Sequence, residues 1–130
     1  TTDSKGKREN SSGNPQSFPI DPNGQVTVSV KGLDQEMILP PTEIGLSEGN
    51  TVLDVTIKIL EKKGIRYEYR GSGNTAYMEG IGNLYEMDHG PLSGWLFKKN
   101  GEVINRSSGA ETVKNGDTIE WIYSLDMQAD

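Results

Sequence analysis

Between residues 25 and 31 the chain alternates strictly, with Val26, Val28 and Val30 separated by Thr27 and Ser29 and flanked by Gln25 and Lys31. A period of two sets the valines on one face of an extended backbone, which predicts a half-buried strand. Pro40 and Pro41 have no amide protons for a ladder and forbid a central strand there, so residues 42–46 fit a short edge strand returning antiparallel to the first. Residues 51–63 satisfy two periods. Leu53, Val55, Ile57 and Ile59 alternate with Asp54, Thr56 and Lys58, as in a strand. At 3.6 residues per turn, all six apolar residues instead cover one wide arc opposite Asp54, Lys58, Glu61 and Lys62. End chemistry decides for the helix: Asn50 or Thr51 can cap it, Asp54 sits in the first turn, and Lys62-Lys63-Gly64 makes a basic last turn with a terminal glycine. Asp54 and Lys58 stand as an i,i+4 ion pair. So broad an apolar arc predicts a helix lying flat on a sheet.

Residues 65–70 read as a strand with Ile65, Tyr67 and Tyr69 on one side; Gly71-Ser72-Gly73-Asn74 turns it into a second strand over 76–81. Residues 82–90, with Leu84, Tyr85, Met87, Asp88 and His89, read as a loop. The strongest sheet signal lies in 90–123. There, 94–98 and 118–123 each carry a Trp among alternating apolar positions. Asn100-Gly101 is a type I′ hairpin pair, because both central residues of that turn need positive φ. Lys114-Asn115-Gly116-Asp117 is a second tight turn. One amphipathic helix among these strands predicts an α+β fold of the β-grasp (ubiquitin-like) type, the helix packed on a mixed, mostly antiparallel sheet.

Composition changes the picture at one end. Residues 1–17 hold no aliphatic or aromatic side chain, too little apolar surface to offset the entropy of ordering, and so predict a disordered linker or tether before a single domain over 18–130. Phe18 and Ile20 open that domain, ahead of a Pro-Asn-Gly turn at Asp21 to Gly24. A net charge of -6 disfavours a nucleic-acid partner, which asks for a basic face. No run of about twenty apolar residues is present to span a bilayer. With no cysteine there is neither a disulfide framework nor a thiol nucleophile.

Several stretches then stand together in order: Gly49-Asn50-Thr51-Val52-Leu53-Asp54, Tyr77-Met78-Glu79-Gly80-Ile81 with Gly82 and Leu84, Gly90, and Ser93-Gly94-Trp95-Leu96-Phe97. Asn100-Gly101 and Asn115-Gly116-Asp117-Thr118-Ile119-Glu120-Trp121-Ile122-Tyr123 complete them. In this the chain from about Val26 to Leu125 resembles the transcobalamin-like C-terminal domain family, a domain of unknown function common in surface proteins and lipoproteins of Gram-positive bacteria. Lys99 departs from the pattern, which usually has an aliphatic residue before Asn-Gly. The resemblance implies a β-grasp domain outside the cell, similar to the small domain that closes over the upper face of cobalamin in animal carriers. Those carriers draw most corrinoid contacts from a second, helical domain, which this stretch of sequence does not include.

The residues offer little catalytic chemistry. His89 is the single histidine, and no Gly-x-Ser-x-Gly elbow accompanies it, which argues against a serine hydrolase. Zinc would need three carboxylates beside that histidine. Gly71-Ser72-Gly73-Asn74-Thr75-Ala76 mimics a dinucleotide fingerprint, but strand-like residues follow where a helix must begin, so a glycine-rich hairpin is expected. Glu79, Glu86, Asp88, Asp117, Glu120 and Asp126 suit calcium in type but lack loop spacing, and read as a solvated acidic surface. Asn10-Ser11-Ser12 and Asn105-Arg106-Ser107 match glycosylation acceptors. The two tryptophans read first as core. Tyr77, Tyr85, Met87 and His89 cluster in or beside one loop, the commonest place for binding residues, and Gly94 opens the backbone beside Trp95.

The expectation is therefore a non-enzymatic, extracellular ligand-binding module of a bacterial surface lipoprotein, anchored through a lipid upstream. Tyr77, Tyr85, Met87, His89 and Trp95 are its candidate ligand-binding residues, around the loop 82–92. Its ligand is a planar small molecule such as a corrinoid, with no catalytic residue and no metal ligand assigned. The alternatives are a protein- or glycan-adhesion module of the cell surface and a metal-binding lipoprotein domain.

Overall fold

In a computed structural model describing residues 24–47 and 49–126, the strand read from the three valines forms as β1 (Gln25–Lys31), with Val26, Val28 and Val30 buried. β2 (Met37–Gly45) returns antiparallel beside it. This strand starts earlier than the sequence implied and includes Pro40 and Pro41. It can do so because it is the edge of its sheet, where a missing amide proton costs no ladder bond, and because its register shifts between Val28 and Lys31. Residues 1–23, with the expected tether and its junction at Phe18 and Ile20, lie outside the described residues.

The ambiguous segment is helical: α1 (Val52–Lys63). Thr51 Oγ1 accepts from the Asp54 amide at 3.2 Å while Asp54 Oδ2 accepts from the Thr51 amide at 2.9 Å, a reciprocal capping box. Gly64 closes the helix in the left-handed conformation, φ 70. With Asp54 engaged at the cap, Lys58 Nζ donates instead to the Gly45 carbonyl at 2.9 Å, so the expected Asp54–Lys58 pair is replaced by a bond from helix to β2. Val52, Leu53, Val55, Ile59 and Leu60 are buried together with Thr56.

After the helix come β3 (Tyr67–Arg70), β4 (Tyr77–Ile81), β5 (Leu84–Tyr85), β6 (Gly94–Lys99), β7 (Glu102–Val103) and β8 (Thr118–Ser124). The single expected sheet is two. One has the order β2-β1-β8-β6-β7, with β8 parallel to β1 and antiparallel to β6; the other has the order β3-β4-β5. β5 arises inside the segment read as a loop, where Leu84 and Tyr85 pair back onto β4. The glycine-rich stretch after β3 makes a single 3-10 turn at Gly73–Thr75 and then enters β4, so no helix offers its amides to a pyrophosphate. Asn100 (φ 55) and Gly101 (φ 89) link β6 to β7 in the left-handed conformation that their residue types favour. The result is a mixed α+β fold with one α-helix and two sheets among the described residues, none of whose helices is long and apolar enough to cross a membrane.

Both indoles are core, at 2% exposure each. Trp121 on β8 leans on Phe97 of β6, ring centres 5.2 Å apart, and Trp95 meets Tyr123 edge-on at 5.3 Å.

Candidate functional site

β4 approaches β6, and the chain after β7 crosses near both over residues 103–108. These three walls enclose a cleft of about 470 Å³, within the usual range for small-molecule sites. Its floor is apolar: Met78 from β4, Trp95 and Phe97 from β6, Trp121 from β8. Tyr77, Leu96, Val103 and Ile104 stand higher on the walls and are only partly buried. Asn74, Thr75, Asn105, Arg106, Ser107 and Ser108 supply the polar lining. Because the indoles are almost wholly covered, they offer a ligand here little accessible surface.

Local bonds hold the third wall in place. The first free amides of α1 donate into it, Val52 N–H to the Glu111 carbonyl at 2.8 Å and Leu53 N–H to the Ser108 carbonyl at 3.0 Å. Helix-start donors that lack intrahelical partners are thereby satisfied. Ser107 Oγ donates to the Ala76 carbonyl at 2.7 Å and accepts from the Gly109 amide at 3.1 Å. Gly109 sits so tightly that an added Cβ would lie 2.1 Å from the Gly73 carbonyl oxygen. The wall is therefore fastened to both the helix and the turn before β4.

Two cations share one carboxylate beside this wall. Glu111, buried, meets Lys99 Nζ at 2.5 Å through Oε2 and Arg106 at 3.0 Å through Oε1. Lys99, the departure from the family pattern, thus neutralises a buried charge. On the other flank Arg70 bridges Glu79 (2.8 Å) and Glu86 (2.6 Å) and lies 4.5 Å above the Tyr77 ring. The Tyr77 phenol is pushed upward, by burial first and then by the Glu86 charge.

Of the five candidate binding residues, the structure brings Tyr77 and Trp95 to the cleft. Tyr85, Met87 and His89 do not line it. Tyr85 lies against Gly80, and its hydroxyl donates to Glu68 Oε1 at 2.7 Å, a bond that raises its pKa. Met87 projects outward with φ 67, and His89 is exposed with its ring edge-on to Tyr123 at 6.0 Å. Of the acidic residues, Glu79 and Glu86 share Arg70, Asp88 accepts from the Tyr85 amide, and Asp117 accepts from Asn100 and the Lys114 amide. Among the described residues no three His, Cys, Asp or Glu side chains gather as a metal site. Sequence reasoning missed Arg106, which it had treated only as the middle of a glycosylation acceptor. An isolated arginine among small polar residues carries no local signal that could have found it.

Residues 49–124 match the family model described as Domain of unknown function (DUF4430). Among the solved structures that share the fold are two of note. One is a "putative metal binding protein" from Ruminococcus gnavus, 20% identical with a TM-score of 0.55, the match covering 78% of this chain and 96% of that one. The other is haptocorrin in complex with Cbi, 24% identical with a TM-score of 0.64, covering 83% of this chain but 26% of haptocorrin. This chain therefore spans about a quarter of haptocorrin's length. No curated protein sequence matches.

Proposed function

Since the chain belongs to the DUF4430 family, a domain of unknown function, we propose that it is a β-grasp, ligand-binding module without catalytic activity that caps a planar small molecule. The path from β1 and β2 through α1 and back to a β8 parallel with β1 supports the β-grasp assignment. The observation that carries the binding role is the aromatic-floored cleft between β4, β6 and residues 103–108. Likeness to haptocorrin, solved with Cbi bound, supports a corrinoid as the ligand class, in keeping with the transcobalamin-like resemblance. A cleft of about 470 Å³ takes only part of so large a ligand, as suits a cap working with a second domain. The module works outside the cell on a lipid-anchored bacterial surface protein, the setting of the family it resembles.

Cobalamin titration tests the reading, with the visible absorption of the corrin and the fluorescence of Trp95 and Trp121 as signals. Saturable change in both, weakened by Tyr77→Ala, is expected; no change and no retention at millimolar ligand would remove the corrinoid. Heat released with calcium or zinc, and none with cobalamin, would transfer the reading to metal binding. Protease treatment of intact cells should release peptides of this chain, and release only after lysis would overturn the surface location.

A further inference from the structure

The residues lining the cleft include one charged side chain, Arg106, in a protein whose net charge is -6. A cation so placed on an otherwise neutral lining asks what it faces. Its own salt bridge does not use it up. Glu111 carries one negative charge and holds two cations, and the nearer, Lys99, is the more covered: side-chain exposure is 23% for Lys99, 9% for Glu111 and 65% for Arg106. The three groups together retain one positive charge, on the member open to solvent. A guanidinium has five N–H donors in a flat fork, and one of its terminal nitrogens makes the Glu111 contact. The remaining donors match the planar or tetrahedral oxygens of an acidic group. By the same count the Arg70 cluster on the other flank carries one net negative charge, but Glu79 and Glu86 do not line the cleft, whereas Arg106 does.

We propose that the cleft selects an acidic group on its ligand, with apolar surface of that ligand against Tyr77, Leu96 and Ile104 and a carboxylate, sulfonate or phosphate on Arg106. Glu111 is the positioning residue that fixes the guanidinium at the rim. The proposal rests on the cleft being the binding site and adds the charge of what it takes.

Anilinonaphthalene sulfonate and its neutral parent phenylnaphthylamine test it, because they share one apolar body and differ by the acidic group. Trp95 and Trp121 both line the cleft and are the chain's only two tryptophans, so energy transfer from them reports binding to the chain, and its weakening by Tyr77→Ala places the probe in the cleft. The sulfonate should bind tighter than the neutral probe by on the order of tenfold, as for a hydrogen bond to a charged group. R106Q should abolish that preference; R106K, which keeps the charge, should retain most of it; R66Q, which removes the same charge from an exposed site elsewhere, should retain it all. Arg106 is exposed enough that R106Q should fold, which an unchanged melting temperature would verify. If both probes bind equally, or the preference survives R106Q, the anion proposal fails while the cleft stands. If neither probe receives energy from the tryptophans, both readings fail.

Discussion

Trp121 Nε1 donates a 2.8 Å hydrogen bond to Thr56 Oγ1 in the buried space between β8 and α1, and Thr56 in turn donates to the Val52 carbonyl at 2.7 Å. One hydroxyl thus joins the helix to the central pair of strands and satisfies the single polar atom of a buried indole. Thr56→Val keeps the shape and strands that donor. The expected loss is about 1–3 kcal/mol, read as a lower urea midpoint with an unchanged slope. Trp121→Phe removes the donor but leaves a space, and combining it with Thr56→Val should cost less than the two singles added.

The capping box makes a second prediction. Thr51→Ala removes the acceptor of the Asp54 amide and should lower stability by about 1 kcal/mol. The same change loosens the helix start that holds residues 108 and 111 through Val52 and Leu53 N–H. Hydrogen exchange at those two amides should therefore accelerate more than at Leu60. Equal acceleration would show that the helix end does not anchor the wall.

Gly109→Ala would put a methyl group against the Gly73 carbonyl oxygen, 2.1 Å away. Backbone must move to relieve it, at about 1–3 kcal/mol by analogy with overpacked cores. Because Ser107 and Arg106 move with it, phenylnaphthylamine affinity should fall even where the protein stays folded. A stable variant with unchanged affinity would uncouple this loop from the cleft.

Removing the carboxylate that two cations share should also be felt. Glu111→Gln leaves Lys99 partly covered without its counter-charge, and stability should drop by about 1–3 kcal/mol, less than the roughly 3–5 typical of fully buried pairs. Thermal unfolding measures it, and Glu111→Gln with Lys99→Met should recover much of the loss.

Tyr67 O–H donates to Glu61 Oε2 at 2.6 Å, and this bond, with burial and the Glu61 charge, pushes its pKa up from 10.0 to about 12. The folded chain therefore holds this proton more tightly than the unfolded one. Its contribution to stability is complete below pH 10.0 and is lost as pH rises toward about 12. In an alkaline absorbance titration Tyr67 should ionise late, and Glu61→Gln should advance it. A Tyr67 that ionises with the same midpoint in both proteins would contradict the bond.

What the sequence determined by itself was local. Alternating valines, the Thr51–Asp54 cap, Gly64 and the Asn100-Gly101 turn each act within a few residues, so β1, α1 and the β6–β7 hairpin could be read directly. The burial of Trp95 and Trp121 followed from the same alternation. Pairing across distance decided the rest. The division into two sheets, Pro40 and Pro41 tolerated on an edge, and β5 within a supposed loop depend on which strand lies next to which. The cleft is the clearest case: Tyr77, Trp95 and Arg106 are far apart along the chain, and only the meeting of β4, β6 and residues 103–108 gives them a common space. Sequence grouped Tyr77 instead with Tyr85, Met87 and His89, its chain neighbours. A binding surface is made by proximity in space, which local residue preferences do not encode.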